Sequence, residues 1–227
     1  MAEAKVEQQT PSSMLKKQIL VLDSEFGSGA RTIGEKLALR LNWTLFDQAL
    51  SEEIARLAKI PVDVCRQHEE RRDPWLQRSV NLIWKGALVP KLPLPDLAIL
   101  DTDRLVSFVE QAVKQAAESR PCVIVGRGAP WFLRQRDDIF SVFLFASREL
   151  RYRRVLARTG NEARAVGLVD TMDKERRKFV KHYLGHEWPN RQLFHAMLNT
   201  GVGDEITIET ILNLLNAINQ TEEARKT

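Results

Sequence analysis

Residues 18–34 read QILVLDSEFGSGARTIG, and this stretch decides the fold. Its first six residues form a short apolar run without polar alternation, which is typical of a strand buried on both faces of a parallel sheet. A glycine-rich loop follows, and behind it Ile33, Leu37 and Leu41 recur at helical spacing. The stretch therefore predicts a strand, a glycine loop and a helix that ends near Asn42.

A loop of this kind, placed between a strand and a helix, has the properties of a phosphate-binding site. Small residues let successive backbone N–H groups converge on anionic oxygens, and the helix N-terminus adds its dipole. The predicted phosphate-binding residues are Ser24, Gly27, Ser28, Gly29, Ala30, Arg31 and Thr32. The consensus for such loops has a lysine, where this chain has Ala30, and then a hydroxyl residue that helps to hold Mg²⁺, here Thr32. A glycine turn that binds no ligand is the alternative interpretation.

The rest of the chain alternates between strand and helix patterns. Apolar runs predict four further strands, at residues 43–46, 121–126, 139–145 and 193–198. Helical patterns cover residues 47–59, 101–119, 148–158, 172–184 and 206–218. Strands that alternate with helices in this way indicate βαβ units. We therefore predict an α/β fold with a mostly parallel five-stranded sheet and helices on both faces.

One domain over residues 18–220 accounts for these patterns, with residues 1–17 as a disordered leader and 221–227 as a tail. Residues 60–100 form an insertion, because the apolar part of this segment contains prolines that no regular helix accommodates. We predict that residues 75–100 of the insertion form a contact surface, with a homodimer as the simplest outcome. The basic segment 159–190 is predicted to be helical and lid-like.

Composition excludes several classes of protein. The chain has 227 residues, of which 44% are hydrophobic and 28% charged, so neither a disordered nor a membrane composition fits. Its longest uncharged apolar stretch, residues 139–147, is far shorter than the roughly 20 residues that cross a bilayer. The two cysteines, Cys65 and Cys122, lie far apart, which favours a reducing cytoplasm over a disulfide framework. His182 and His186 lack the helical glutamate of a His-Glu-x-x-His site, so no metal site is expected there.

Positive charge is concentrated in one region, although the net charge is only +4. Residues 148–191 contain twelve Lys and Arg against six Asp and Glu. Such a local excess fits nucleic acid, an anionic lipid surface or a phosphorylated small molecule. No nucleic-acid-reading motif accompanies it. Charge alone does not choose among these three partners, so the motifs must decide, and we expect neither nucleic acid nor a membrane as a partner.

Several segments, in order along the chain, resemble the cytidylate kinase-like family of nucleoside monophosphate kinases. The resemblance extends from residue 19 to about residue 215. Its motifs are the loop 24–31, Phe46-Asp47, Val123-Ile-Val-Gly-Arg-Gly-Ala129, Phe143-Leu-Phe-Ala-Ser147 before an arginine-rich helix, Asp173-Lys-Glu-Arg176, Tyr183-Leu-Gly185, Trp188 and Leu198-Asn-Thr200. Each piece is unspecific, but the ordered combination is specific. The resemblance implies a three-layer P-loop NTPase fold with a helical lid.

The resemblance also implies an activity, which is transfer of the γ-phosphoryl group of ATP to a nucleoside monophosphate. CMP or dCMP is the expected acceptor, and ATP and Mg²⁺ are the expected cofactors. The implied catalytic residues are Arg31, Arg154, Arg158 and Arg176, whose charge would stabilise the transferring group. Arg127 and Asp47 are the implied acceptor-binding residues, and Thr32 is the implied Mg²⁺ ligand.

Two departures from the family pattern leave alternatives open. Ala30 removes the loop lysine, and Val125 and Gly128 stand where cytidylate kinases have the two aspartates of Asp-Gly-Arg-Asp. A catalytically weak module that binds or senses nucleotides is therefore the second hypothesis. At the residue level, Asp47 could cap the next helix, Arg127 could serve a structural ion pair, and Asp173 could pair with Arg177 at i, i+4 spacing.

Overall fold

The structure is a computed structural model, and it describes residues 16–47, 53, 56, 57 and 102–224. Most of the predicted leader 1–17, most of the predicted helix 47–59 and the whole insertion 60–100 lie outside the described residues. The predicted dimer surface 75–100 lies outside them as well. Among the described helices, none is long and apolar enough to cross a membrane.

Five strands form one sheet in which every described pairing is parallel. The strands are β1 (Ile19–Ser24), β2 (Thr44–Phe46), β3 (Cys122–Val125), β4 (Ile139–Phe145) and β5 (Ala196–Asn199). Their order across the sheet is β2-β3-β1-β4-β5, so β1 lies in the centre between β3 and β4. The predicted five-stranded parallel sheet is confirmed. All five carboxyl ends lie at the same edge of the sheet.

The sheet is covered by helices on both faces. The helices are α1 (Ala30–Leu41), α2 (Thr102–Glu118), α3 (Ala129–Phe132), α4 (Arg148–Thr159), α5 (Glu162–Phe179) and α6 (Asp204–Ala224). A π-helical turn (Val180–Leu184) and two 3-10 turns (Arg191–Leu193 and Thr200–Val202) complete the described elements.

The central strand shows why its sequence is apolar at every position. Ile19 and Val21 pack on one face against α2 and α3, and Leu20 and Leu22 pack on the other face against α1 and α6. All four side chains are fully buried. Because both faces of β1 are covered, neither set of alternating positions can be polar. The helices on the two faces give the three-layer α/β architecture.

Several element boundaries differ from the sequence prediction; the last helix, for example, runs over Asp204–Ala224 rather than residues 206–218. The helix expected at 172–184 begins ten residues earlier, because the Asn161 side chain accepts a hydrogen bond from the N–H of Arg164 and caps it. The last strand begins at Ala196 rather than at residue 193, because residues 191–193 form a turn. The Ser141 hydroxyl on β4 donates to the carbonyl of Leu193 at 2.6 Å and holds that turn against the sheet.

Gly34 on α1 lies against the sheet, and its missing side chain permits this close approach. A Cβ added there would lie 2.8 Å from Cγ2 of Val125 on β3. We expect Gly34→Ala to lower the free energy of unfolding by about 1–2 kcal/mol, because overpacking outweighs the gain in helix propensity. Gly167 on α5 is the matched control, since a Cβ there meets nothing within 4 Å. Urea unfolding should show Gly167→Ala equal to or more stable than wild type.

Asp138, which immediately precedes β4, is a buried carboxylate held by two arginines. Arg136 and Arg120 donate to it at 2.8 and 2.7 Å, and the Arg136 hydrogen bond is the main cause that lowers the pKa of Asp138. A carboxyl whose pKa is lowered by folding adds stability above the unfolded pKa of about 4, and this stability is lost as pH falls through the folded pKa.

We expect Asp138→Asn to lower the free energy of unfolding at pH 7 by about 2 kcal/mol, because charged hydrogen bonds are lost. The same variant should weaken the dependence of stability on pH below about pH 4. Urea unfolding at a series of pH values measures both effects. Equal acid dependence in variant and wild type would contradict the assignment.

Candidate functional site

The loop between β1 and α1 is shaped by two glycines in the left-handed region. Gly27 has φ +84° and Gly29 has φ +96°, a conformation that other residues rarely adopt. A Cβ on Gly27 would lie 2.9 Å from Cγ2 of Val155 on α4. Ala30 is the first residue of α1, and Thr32 is exposed in its first turn. The strand, loop and helix therefore follow one another as predicted, with the helix N-terminus directly behind the loop.

The backbone N–H groups of the loop fall into two sets. The N–H groups of Phe26 and Ser28 are bonded, to a carboxylate oxygen of Asp173 at 2.9 Å and to the carbonyl of Glu25 at 3.2 Å. The N–H groups of Gly27, Gly29 and Ala30 make no hydrogen bond within the described part of the chain. The hydroxyl of Ser28 is buried and also lacks a partner among the described residues. These donors can bind an anion at the N-terminus of α1.

The carbonyl side of the same loop is held by three arginines. Arg176 donates to the carbonyl of Ser24, Arg151 to that of Phe26 at 3.2 Å, and Arg154 to that of Ser28 at 2.6 Å. Residues 24, 26 and 28 alternate along the loop. Arg154 and Arg176, which the sequence placed among the catalytic residues, therefore contact the loop backbone in this structure.

Arg151 and Asp173 connect α4 and α5 to the loop. They form an ion pair of 2.6 Å between side chains that are 11% and 9% exposed. Asp173 also accepts the Phe26 N–H, so the pair binds both sides of that residue. The proposed pairing of Asp173 with Arg177 is wrong, because the buried partner on the neighbouring helix is Arg151. No sequence motif pointed to Arg151, although it precedes Arg154 by three residues on the same helix.

Arg154 joins the loop to the chain after β5. Its guanidinium donates to Oγ1 of Thr200 and to a carboxylate oxygen of Asp204, both at 2.8 Å. The Thr200 hydroxyl also donates to the carbonyl of Ser28, at 2.7 Å. The Leu198-Asn-Thr200 motif therefore supports the loop through Thr200. Asp204 was missed, because nothing in its local sequence indicates a partner fifty residues away.

Arg158 lies beside the loop and has no carboxylate partner among the described residues. Its guanidinium lies 5.3 Å from the ring centroid of Phe26, and it makes no hydrogen bond or ion pair with any described residue. Partial desolvation of the guanidinium, followed by repulsion from Arg31, lowers the pKa of Arg158, although the residue is exposed. Arg31 itself lies 3.1 Å from a carboxylate oxygen of Glu35 and 3.4 Å from one of Asp47. Two neighbouring guanidinium groups, one of them without a carboxylate, favour an anion between them.

Arg127 stands at the carboxyl end of β3, the neighbour of β1. Gly126, Arg127 and Gly128 all have positive φ, of +72°, +59° and +70°. The Gly126 N–H donates to the carbonyl of Leu22 at 2.7 Å, which ties this turn to β1. Ligands of open parallel sheets bind outside the carboxyl ends of the strands. The structure therefore brings Arg127 and the glycine loop to the same edge of the sheet.

Asp23, at the end of β1, was also missed by the sequence analysis. One carboxylate oxygen accepts the Ser24 N–H at 2.8 Å, and the other accepts the indole N–H of Trp188 at 2.9 Å. The Arg176 guanidinium lies 3.6 Å from Asp23 and 5.0 Å from the Trp188 ring centroid. Trp188, in the segment that follows α5, is thus hydrogen-bonded to the residue that precedes the loop. Within the described ranges, no group of three His, Cys, Asp or Glu side chains could hold a metal.

Comparisons with solved structures give the same fold. An uncharacterized protein from Eubacterium ventriosum ATCC 27560 is 24% identical, with TM-score 0.59, over 89% of this chain and 99% of its own. A gluconokinase from Sinorhizobium meliloti 1021 is 14% identical, with TM-score 0.56, over 93% and 99%. A shikimate kinase from Acinetobacter baumannii, in complex with shikimate, is 18% identical, with TM-score 0.50, over 88% and 93%.

These similarities show a kinase-like P-loop fold, and at these identities they show the fold alone. No curated protein matches the chain significantly. The family model of the cytidylate kinase-like family matches residues 19–202, which is most of the chain. The match includes the glycine loop, Arg127 and the arginines of α4 and α5. The chain belongs to the cytidylate kinase-like family.

Proposed function

We propose that this protein transfers the γ-phosphoryl group of ATP to a nucleoside monophosphate, with CMP or dCMP as the acceptor. The observation that carries the proposal is the set of unbonded loop N–H groups at the same sheet edge as Arg127. A donor phosphate on the loop and an acceptor phosphate at Arg127 would be bound by adjacent strands. Phosphoryl transfer needs this kind of positioning and charge more than covalent help from the protein.

We assign the phosphates of ATP to the loop. The N–H groups of Gly27, Gly29 and Ala30 and the buried Ser28 hydroxyl are free to donate within the described chain. The remaining proposed donor-site residues are Ser24, Arg31 and Thr32. When bound, Mg²⁺ would neutralise phosphate charge, and the exposed Thr32 hydroxyl in the first turn of α1 is the proposed ligand.

The acceptor is assigned to Arg127 and Asp47. Arg127 can present its planar fork to the acceptor phosphate, and Asp47 follows β2 at the same edge of the sheet. Because the attacking group is already an anionic phosphate, no general base is strictly required. Ring size and hydrogen bonding of the base distinguish pyrimidine from purine acceptors, and the choice of CMP or dCMP rests on the family resemblance.

The catalytic charge is assigned to four arginines in two ways. Arg31 and Arg158 would contact the transferring phosphates, because Arg158 has no carboxylate partner in the described chain and has the charge of Arg31 beside it. Arg154 and Arg176 would act through the loop whose carbonyls they hold. Two arginines would therefore bind phosphate directly, and the other two would hold the loop that binds it.

The test is a coupled ADP-release assay with ATP and Mg²⁺ across a panel of nucleoside monophosphates. Gluconate and shikimate belong in the panel, because two proteins of similar fold are a gluconokinase and a shikimate kinase. We expect acceptor-dependent ADP release that is fastest with CMP or dCMP. Release with gluconate or shikimate and not with any monophosphate would contradict the proposed acceptor.

A nucleotide-binding or sensor module is the second candidate, and Ala30 in place of the loop lysine favours it. In that case ATP raises the melting temperature by mass action, while no acceptor stimulates ADP release. Such a module would use the apolar segment 75–100 to contact a partner or a second copy. Sedimentation velocity at several protein concentrations tests the homodimer, and a monomer at all concentrations would contradict it.

A further inference from the structure

We propose that Arg151 and Arg154 are positioning residues that prepare two peptide units of the loop for phosphate. This inference rests on the proposed function only in requiring that the loop binds phosphate. The two arginines bind the loop and do not contact the ligand. They act on the loop backbone, which lies between them and the ligand. Arg151 thereby has a role that the family resemblance did not suggest.

The geometry of the peptide group connects each arginine to an N–H group of the loop. A carbonyl and the N–H of the next residue belong to one planar unit, so they point in opposite directions. The Phe26 carbonyl, bonded to Arg151, shares its unit with the N–H of Gly27. The Ser28 carbonyl, bonded to Arg154, shares its unit with the N–H of Gly29. The two N–H groups opposite the arginines are therefore two of the three loop donors that have no hydrogen bond within the described part of the chain.

A charged donor on a carbonyl affects the N–H on the other side of the unit. Hydrogen bonds in series polarise one another, so a guanidinium on the carbonyl makes the opposite N–H a stronger donor. It also fixes the orientation of the peptide plane, which a flexible glycine leaves loose. Gly27 and Gly29 need this support, because each is the flexible member of its peptide unit.

The role is orientation and polarisation rather than net charge. Arg151 is paired with Asp173 at 2.6 Å and lies 3.4 Å from Glu25, and Arg154 is paired with Asp204 at 2.8 Å. These carboxylates compensate much of the guanidinium charge. Asp173 adds a second constraint, because it accepts the Phe26 N–H and so holds the preceding peptide unit as well.

The contacts made by α4 supply a matched control. Arg148, Arg151 and Arg154 follow one another at three-residue spacing, and Arg151 and Arg154 bind loop carbonyls. Arg148 lies on the same helix and pairs with Asp170, but both of these side chains are exposed and neither contacts the loop. Replacing Arg148 with lysine changes the same residue type in the same helix without changing the loop.

The experiment compares Arg151→Lys, Arg154→Lys and Arg148→Lys by titration with inorganic pyrophosphate and with Mg-ATP. We expect about tenfold weaker binding of both ligands in the first two variants, because each variant loses one charged hydrogen bond to the loop. Arg148→Lys should bind as wild type does. In ¹⁵N-resolved spectra without ligand, the amide protons of Gly27 and Gly29 should shift toward weaker hydrogen-bonding in the first two variants only.

The outcomes separate this inference from the proposed function. If wild type binds both ligands and the variants bind equally well, the inference is wrong, whatever their melting temperatures. Arg154→Lys decides the matter if Arg151→Lys does not fold, because Arg154 is the more exposed of the two. If binding weakens as expected but no acceptor is phosphorylated, the proposed transfer is wrong and the inference stands. If wild type binds neither ligand, both are wrong.

Discussion

Replacing Gly29 with valine should weaken Mg-ATP binding by at least about a hundredfold, which corresponds to about 2.8 kcal/mol. Gly29 has φ +96°, a backbone conformation that strains any side chain with a Cβ. A Cβ at this position would also lie 3.2 Å from Nη1 of Arg154. That nitrogen donates to the Ser28 carbonyl, so the substitution disturbs both the loop glycine and its support. Isothermal titration with Mg-ATP measures the effect.

Gly160 provides the control for backbone strain alone. It ends α4 with φ +63°, and a Cβ there meets nothing within 4 Å. We expect Gly160→Ala to lower the free energy of unfolding by about 1–2 kcal/mol and to leave Mg-ATP affinity unchanged. A Gly29→Val protein that folds and binds Mg-ATP as tightly as wild type would show that the loop is a turn without a ligand.

Arg127→Lys should reduce kcat/KM for the nucleoside monophosphate by about a hundredfold while donor binding stays nearly normal. Lysine keeps the positive charge but cannot donate two parallel hydrogen bonds to one phosphate. Since the loop after β1 is a separate set of backbone donors, Mg-ATP affinity should not change. Steady-state kinetics with CMP and separate titrations with Mg-ATP measure the two effects.

A structural ion pair at Arg127 leads to a different result. Loss of the guanidinium would then leave a carboxylate uncompensated, and stability, donor binding and acceptor binding would fall together. Melting curves distinguish the two cases. Arg134→Lys is the control, because Arg134 is exposed and lies over the Trp131 ring at 4.0 Å in the same segment. Unchanged CMP affinity and turnover in Arg127→Lys would remove the acceptor role.

Local sequence patterns were sufficient for the sheet and the loop. The run Ile19-Leu-Val-Leu22 predicted a strand buried on both faces, and its side chains do alternate between two helical layers. The glycines predicted a loop before a helix N-terminus, and Gly27 and Gly29 form that loop with positive φ. These predictions succeeded because strand burial and turn conformation depend on residues that are neighbours in the sequence.

Boundaries were harder to predict than the elements themselves. The helix expected at 172–184 begins at Glu162, after the Asn161 cap. The first turns of this helix include Gly167, which weakens the helical pattern although an exposed glycine costs only about 1 kcal/mol. Packing of Ala165 and Val169 against Phe26 stabilises this part of the helix, and that contact is not visible in a local pattern.

The class of fold, the position of the glycine loop and the arginine-rich region that follows β4 could all be predicted from local sequence patterns. The partner of each arginine could not, because it depends on the tertiary structure. Arg154 and Arg176 bind loop carbonyls, Arg151 pairs with Asp173, and Arg158 lies over Phe26 with no carboxylate partner among the described residues. A long flexible side chain can reach many partners from one helix position, and burial against a particular neighbour selects among them. That selection is made by packing between distant segments, which local periodicity does not specify.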